Sequence, residues 1–275
     1  MNADDLVLVR SLVQNRSGVV IDATKTYFIE TCLAPVARRE GFPSISDMIA
    51  SIRGQRDDRL MWAVTEALTS TETAFFRDIS PFRQFREEML PALAASRVGE
   101  PIKVWSAACS TGQEIYSLGM IVDEDRPKLL GAPVELFGSD ISAQCLEKAQ
   151  AGVYNQFEVQ RGLPARLLLR YFEQSGEMWR ISPEIRQLVR WRRMNLLGGM
   201  QAVGRFDVIF CRYVTGLFDE PTRARVLASL ASVLADDGYL VLGTNEAASE
   251  TESLKPVSGR PGVYQRGKAS RAVAA

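Results

Sequence analysis

Residues 4–14 set Leu6, Val9, Leu12 and Val13 at the three-and-four spacing of a helix with one apolar face. Residues 24–40 continue with Tyr27, Phe28, Leu33 and Val36, until Gly41, Phe42 and Pro43 break the pattern. Ser46 is placed to cap a helix running through Arg53, with Met48, Ile49 and Ile52 facing inward. Asp57 or Asp58 is placed to open another through Leu60, Met61, Val64 and Leu68. No alternating pattern interrupts these segments, so the N-terminal region predicts a small all-α bundle. Residues 81–95 predict a connecting helix, with Phe82, Phe85, Met89, Leu90 and Leu93 on its apolar side.

From residue 101 the rhythm changes. Short apolar runs at 102–107, 134–138, 206–211 and 238–243 read as strands, and the stretches 113–122, 142–151 and 220–235 as helices between them. That alternation predicts a parallel sheet covered by helices on both faces. Right-handed crossovers place the strand C-termini along one edge, where ligands bind. Residues 152–193 break the rhythm, with a helical pattern at 163–172 and possible strands at 178–181 and 188–194, and read as a small insert. The insert holds Arg161, Arg166, Arg170, Arg180, Arg186, Arg190, Arg192 and Arg193, a basic excess. After Ser249 only residues 262–266 suggest a strand, a last one at the sheet edge.

Composition removes several chemistries. Lys+Arg and Asp+Glu are 33 each, so the chain is formally neutral and a poor binder of nucleic-acid backbone. No apolar run is long enough to span a bilayer, and the acidic start with Asp4 and Asp5 is unlike a signal peptide, which predicts a cytoplasmic protein not inserted in a membrane. Cys32, Cys109, Cys145 and Cys211 are widely spaced, so neither a metal site nor a disulfide framework is expected. With no histidine, the commonest general base and metal ligand are missing.

Three places can carry chemistry. In Lys103–Glu114 a strand runs through small residues into a helix whose N-terminus offers free N–H groups, and Gly112 can take turn conformations. A single glycine there does not make a pyrophosphate fingerprint, and an ordinary strand–helix turn is an equal reading. Asp140 follows the next strand, where a carboxylate can accept both hydroxyls of a ribose, or cap the helix near Ser142. Asn195 follows the 188–194 strand and can meet an adenine edge with one donor and one acceptor, or simply make a turn.

These segments resemble the chemotaxis receptor glutamate methyltransferases along nearly the whole chain. The matching stretches are Thr71-Glu-Thr-Ala-Phe-Phe-Arg-Asp78, Trp105-Ser-Ala-Ala-Cys-Ser-Thr-Gly-Gln-Glu114, Ser139-Asp-Ile-Ser142, Arg161-Gly-Leu-Pro164, Arg170-Tyr-Phe172, Asn195-Leu-Leu197, Phe206-Asp-Val-Ile-Phe-Cys-Arg212, Phe218-Asp219 and Gly238-Tyr-Leu-Val-Leu-Gly243. The resemblance implies an α/β fold: a Rossmann-like S-adenosylmethionine-dependent methyltransferase domain over 76–268, with a small β-rich insert at 153–194. An all-α domain over 1–75 precedes it, and 269–275 is expected to be a flexible tail.

The resemblance also implies S-adenosylmethionine as cofactor and S-adenosylhomocysteine as product. Arg77 would act at the reaction centre. Thr71, Thr73, Arg77, Ala107, Glu114, Asp140, Asn195, Leu196, Tyr213 and Val214 would border the cofactor. Glu114 would take the methionine ammonium, Asp140 the ribose, and Asn195 with Leu196 the adenine. The implied partner is a methyl-accepting chemoreceptor, met through an acidic helical segment.

The chain departs from the family pattern in places. Where that pattern reads C-R-N-V-x-I-Y-F-D, this chain reads Cys211-Arg-Tyr-Val-Thr-Gly-Leu-Phe-Asp219, so Tyr213 stands for an asparagine and Leu217 for a tyrosine. Gly243-Thr-Asn-Glu246 stands for Gly-His-Ser-Glu, and Thr71 for a frequent asparagine. The loop at 173–178 is short, as in members that do not grip a receptor pentapeptide tether. The expected activity is transfer of methyl groups to receptor glutamates without such a tether. A catalytically impaired cofactor-binding regulator is the alternative, and a small-molecule or RNA methyltransferase a third reading.

Overall fold

The structure, a computed structural model, describes residues 1–55, 57–249 and 251–267; Arg56 and the expected tail at 269–275 lie outside them. The chain forms two compact units, Met1–Ser70 with Gly216–Thr222, and Thr71–Thr215 with the rest of the chain.

The first unit holds α1 (Ala3–Ser17), α2 (Thr26–Arg39), α3 (Ile45–Gln55) and α4 (Asp58–Leu68). Asn2 and Asp5 close a capping box on α1, and the Asp57 carboxylate accepts from the amides of Arg59 and Leu60 at the start of α4. The serine at the start of α3 that accepts the Asp47 amide is Ser44, not the expected Ser46, because the helix already begins at Ile45. Val9, Val13, Leu33, Met48, Ile49, Leu60 and Val64 are buried, as the spacing predicts, but Tyr27 and Phe28 are exposed and Ile29 takes the inner position of α2 instead. The unit also has a bridge between Val19 and Phe218, a β contact that the helical pattern gives no sign of.

The second unit opens with α5 (Ser80–Gln84), a π-helical turn (Phe85–Met89) and α6 (Leu90–Ser96), one continuous helical stretch. The widened turn directly precedes Pro91, whose ring cannot sit against a carbonyl four residues back. The strands are β1 (Ile102–Ala107), β2 (Val134–Asp140), β3 (Val153–Asn155), β4 (Phe172–Ser175), β5 (Met178–Ile181), β6 (Val189–Arg193), β7 (Phe206–Phe210), β8 (Leu234–Val241), β9 (Leu254–Pro256) and β10 (Val263–Arg266). The helices that follow are α7 (Gln113–Glu124), α8 (Ala143–Ala151), α9 (Gln156–Gln160), α10 (Ala165–Tyr171), α11 (Pro183–Arg186) and α12 (Glu220–Val233).

Seven strands form one sheet in the order β6-β2-β1-β7-β8-β10-β9. The first five are parallel, and β10 and β9 run antiparallel to their neighbours. This is the α/β class expected. Three details differ from the expected elements. The 188–194 segment, read as part of the insert, is the edge strand β6 of the main sheet; its Val189 and half-buried Trp191 pack inward while Arg190 and Arg192 stay exposed. The last strand is not the edge, because Leu254–Pro256 pairs outside it. And β8 starts at Leu234, four residues earlier than expected, since its pairing with β7 shifts register between Phe206 and Val208.

The insert proper is a three-stranded antiparallel sheet, β3-β5-β4, with α9 and α10. Strands β4 and β5 are joined by Gly176 and Glu177, with Gly176 at φ 61 as such tight turns require. The insert's arginines are not a free patch. Arg161 pairs with Glu72, Arg166 with Glu124, and Arg170 with Asp123 and Glu124. Arg86 also pairs with Glu124, and Arg166 and Arg86 together hold the Glu124 carboxyl below its ordinary range. Among the described residues no helix is long and apolar enough to cross a membrane, and no cluster of side chains is built to hold a metal ion.

Candidate active site

Strand order reverses direction between β1 and β7, with β2 and β6 on one side and β8 on the other. A crevice forms outside the strand C-termini at such a switch. The loop leaving β1 is wound tightly there: Ala108 (φ 61), Ser110 (φ 51) and Gly112 (φ 94) are all left-handed. For Ala108 and Ser110 this conformation is strained, at about 1–3 kcal/mol per residue, and it persists only where surroundings impose it. The surroundings are identifiable. The Cys109 amide donates to the Ser139 carbonyl at 2.9 Å, and the Ser110 amide to the Asp140 carboxylate at 2.8 Å. The Ser110 hydroxyl donates to the Thr71 carbonyl and the Tyr154 hydroxyl to the Thr111 carbonyl, each at 2.8 Å.

Asp140 therefore shapes the loop from the end of β2. One oxygen takes the Ser110 amide and the other the Ser142 amide, while Ser142 itself caps α8. At 8 % exposure the Asp140 residue is nearly dry. Gly138 and Gly112 leave no room for side chains: a Cβ at Gly138 would lie 2.7 Å from the Trp191 ring, and one at Gly112 3.0 Å from Ala149. The two carboxylates Asp140 and Glu114, with burial, keep the Cys109 thiol well above its ordinary range, burial being the main cause.

A second layer is built on Arg212, which follows β7 and whose side chain is 2 % exposed. It donates to Glu114 at 2.9 Å, to the Arg77 carbonyl at 2.7 Å and to the Asp78 carboxylate at 2.8 Å. The other Glu114 oxygen accepts from the Ser106 hydroxyl at 2.8 Å. One arginine thus joins the start of α7, the end of β7 and the 71–78 segment. Its Nε is buried and has no acceptor in the described protein.

The 71–78 segment brings Arg77 into the same place. The Arg77 guanidinium lies over the Tyr213 ring at 3.8 Å and donates to the Glu72 carbonyl at 3.0 Å. The Tyr213 hydroxyl bonds to Asp78 and lies 3.3 Å from the Thr244 hydroxyl. Glu246 accepts from the amides of Tyr213 and Gly243 and from the Thr215 hydroxyl. Phe76 (φ 49), Asp78 (φ 59) and Tyr213 (φ 62) are left-handed too, so among the described residues five of the six non-glycine residues at positive φ lie in the segments around this crevice. Behind it Phe75 is fully buried against Tyr154 and Phe172 of the insert, and a Cβ at Gly162 would lie 2.1 Å from the Phe75 carbonyl oxygen.

Of the residues expected at the site, Thr71, Arg77, Glu114, Asp140 and Tyr213 are joined by these hydrogen bonds and by the ring stacking. Ala107 ends β1 and is buried, and half-buried Thr73 and Val214 flank the same segments. Asn195 and Leu196 follow β6 beside Asp140, whose carbonyl accepts the Met194 amide. The Asn195 side-chain oxygen accepts the Leu197 amide at 3.0 Å, an Asx-type turn after β6. Sequence reasoning gave no role to Arg212, Asp78, Ser106 or Glu246. Arg212 stood inside a recognised stretch, but an arginine after a strand reads as solvated.

The residues fit S-adenosylmethionine. Its ammonium and ribose hydroxyls call for carboxylates, which Glu114 in the first turn of α7 and Asp140 at the end of β2 supply, and the acceptor-less Nε of Arg212 is a buried donor on the residue that holds Glu114. The comparisons agree. Residues 71–263 match the model "CheR methyltransferase, SAM binding domain". The chain is 35 % identical over 269 residues to a chemotaxis protein methyltransferase of Pseudomonas aeruginosa, covering 96 % of this chain and 98 % of that protein. It is 34 % identical to one of Vibrio parahaemolyticus, covering 92 % and 93 %, and 31 % identical to one of Pseudomonas putida, covering 96 % and 98 %. The chain belongs to the CheR methyltransferase family, whose S-adenosylmethionine-binding domain it carries.

Proposed function

We propose that this protein transfers a methyl group from S-adenosylmethionine to glutamate side chains of a methyl-accepting chemoreceptor in the cytoplasm. The observation that supports it best is the juxtaposition of half-buried Arg77 and Glu114, both tied to buried Arg212, with Asp140 at the end of β2 holding the same β1 loop. In this reading Asp140 and Glu114 hold the ribose and the ammonium, and Thr71, Thr73, Ala107, Asn195, Leu196, Tyr213 and Val214 border the rest of the cofactor. When bound, the cofactor supplies an electrophilic methyl group on a sulfonium.

No base is required of the protein. A free glutamate has a pKa of about 4.3 and is ionised at neutral pH. What the protein must do is orient that carboxylate and strip its water, which can be worth roughly 7–11 kcal/mol of barrier. Arg77 suits the orienting role, since a guanidinium meets a carboxylate in a fork of two charge-assisted hydrogen bonds.

We propose further that the receptor is met through an acidic helical segment and without a pentapeptide tether. The two-residue β4–β5 turn leaves little loop to hold a tether. Arg180 of the insert and Arg190 and Arg192 of β6 are exposed, and no ion pair is seen for them among the described residues. Transfer of labelled methyl groups to receptor cytoplasmic fragments, released by mild base as an ester is, tests the activity. Cofactor binding with no transfer to any receptor would refute it. Transfer that persists at high salt, or tight binding of a tether pentapeptide, would refute the mode of recruitment.

A further inference from the structure

Tyr213 is an unexpected residue for its backbone. At φ 62 a side chain with a Cβ is strained, and asparagine, which stands here in the family pattern, is among the few residues that tolerate it. The large aromatic ring is kept in a conformation that opposes it, and what the ring touches says why. Its face carries the Arg77 guanidinium at 3.8 Å. Its hydroxyl bonds to Asp78, which is itself held by buried Arg212 at 2.8 Å, and lies 3.3 Å from the Thr244 hydroxyl. Its amide is fixed by Glu246 at 2.6 Å. Thr244 too is a departure, standing where the family has histidine. Two replaced residues therefore meet each other, and together they form the platform under the arginine expected at the reaction centre.

We propose that Tyr213 is a positioning residue for Arg77: by stacking beneath the guanidinium it fixes the plane in which Arg77 presents its donors. An arginine side chain has four rotatable bonds, and a ring clamped at both its amide and its hydroxyl selects one arrangement of the guanidinium plane. Asp78 serves as the relay, since it ties the phenol to the same arginine, Arg212, that donates to the Arg77 carbonyl. The proposal rests on the methyl-transfer reading for its kinetic consequence, but the stacking itself does not.

The test is a double-mutant cycle on Arg77 and Tyr213 with transfer to a receptor fragment as readout, and cofactor Kd by calorimetry as the control for folding. Y213L is expected to lower kcat about tenfold, the size of a desolvated cation–π contact. Because Tyr213 is also read as bordering the cofactor, rates are compared at saturating S-adenosylmethionine, so that any change in cofactor Kd is separated from the effect on kcat. Y213F, which keeps the ring, should recover most of that loss. The R77A/Y213L double variant should be no slower than R77A alone, because Tyr213 acts only through Arg77. Losses that multiply, or a Y213F as slow as Y213L, would overturn the proposal. A second measurement needs no activity. The Arg77 Hε resonance should be shifted upfield by the ring in the wild type and in Y213F, and return to its ordinary position in Y213L. A wild type that shows the ring shift but transfers no methyl would sink the methyl-transfer reading and leave the stacking intact. An Arg77 resonance already at its ordinary position would sink the stacking.

Discussion

Replacing Arg212 by methionine should damage the second unit more than any other single change at the crevice. Methionine keeps the length and the apolar stem but removes three charge-assisted hydrogen bonds, to Glu114, Asp78 and the Arg77 carbonyl. Each such bond contributes about 1.5–3 kcal/mol. The gross loss is offset in part, because Asp78 is a third exposed and can return to water, and because the orphaned Nε disappears. Glu114 cannot escape so easily, with a side chain 12 % exposed. Leaving one partner of a buried pair alone costs about 3–5 kcal/mol. At roughly 2–4 °C per kcal/mol for a domain of this size, the melting temperature should fall by about 10 °C. Melting followed by circular dichroism at neutral pH, with and without S-adenosylmethionine, is the assay. A lone carboxylate also suggests its own rescue: pairing Arg212→Met with Glu114→Gln should restore part of the loss. A drop below about 2 °C for Arg212→Met would mean that the network contributes no more than exposed ion pairs do.

Three further outcomes follow from the same geometry. Asp140→Ala should weaken cofactor binding by about 1–3 kcal/mol in calorimetry, and also lower the melting temperature, since it strands the amides of Ser110 and Ser142; unchanged affinity in a folded variant would leave Asp140 a purely local tie. Gly162→Ala puts a Cβ 2.1 Å from the Phe75 oxygen at φ 89, so it should cost more than about 1–3 kcal/mol and disturb the 71–78 segment, read as lost methyl transfer; a variant as stable and active as wild type would contradict the contact. Glu124 is held below its ordinary range by Arg166 and Arg86, so its contribution is complete above the unfolded value of about 4.3 and is lost as pH falls through the folded value. The stability gap between wild type and Glu124→Gln, measured by denaturant titration, should therefore be constant near neutrality and close in acid; a gap independent of pH would refute this.

The elements that the sequence predicts well are those whose pattern is self-sufficient. Strands β1, β2 and β7 are buried apolar runs of five to seven residues, and α1 to α4 repeat at helical spacing. Strands β3 and β4 have three and four residues of mixed polarity and exist only because β5 pairs with both. The early start of β8 is hidden behind Asp236-Asp237-Gly238, which reads as a turn, while Leu234 pairs with Phe206 across the register shift. At the site, Asp140 could be placed from its position after a strand, and Glu114 only through the family resemblance. Arg212 could not, because its burial depends on Asp78, a partner 134 residues earlier in the chain. The stacking of Arg77 on the Tyr213 ring is encoded by no local pattern.

The two ends of the main sheet bear on how the protein survives its own synthesis. A largely parallel sheet assembles from segments distant in the chain, and such sheets form slowly, with strand edges open while they wait. An open edge recruits any extended chain nearby, including another copy of the same protein. Here one end is β6, which carries Arg190, Arg192 and Arg193, so a second copy laid against it in register would set guanidinium beside guanidinium. The other end is β9, three residues long and closed by Pro256, which has no amide to donate to a further strand. The sheet is therefore terminated by charge on one side and by a missing donor on the other. Exchanging Arg190 and Arg192 for threonine would leave the crevice untouched and turn the β6 edge into a template for aggregation.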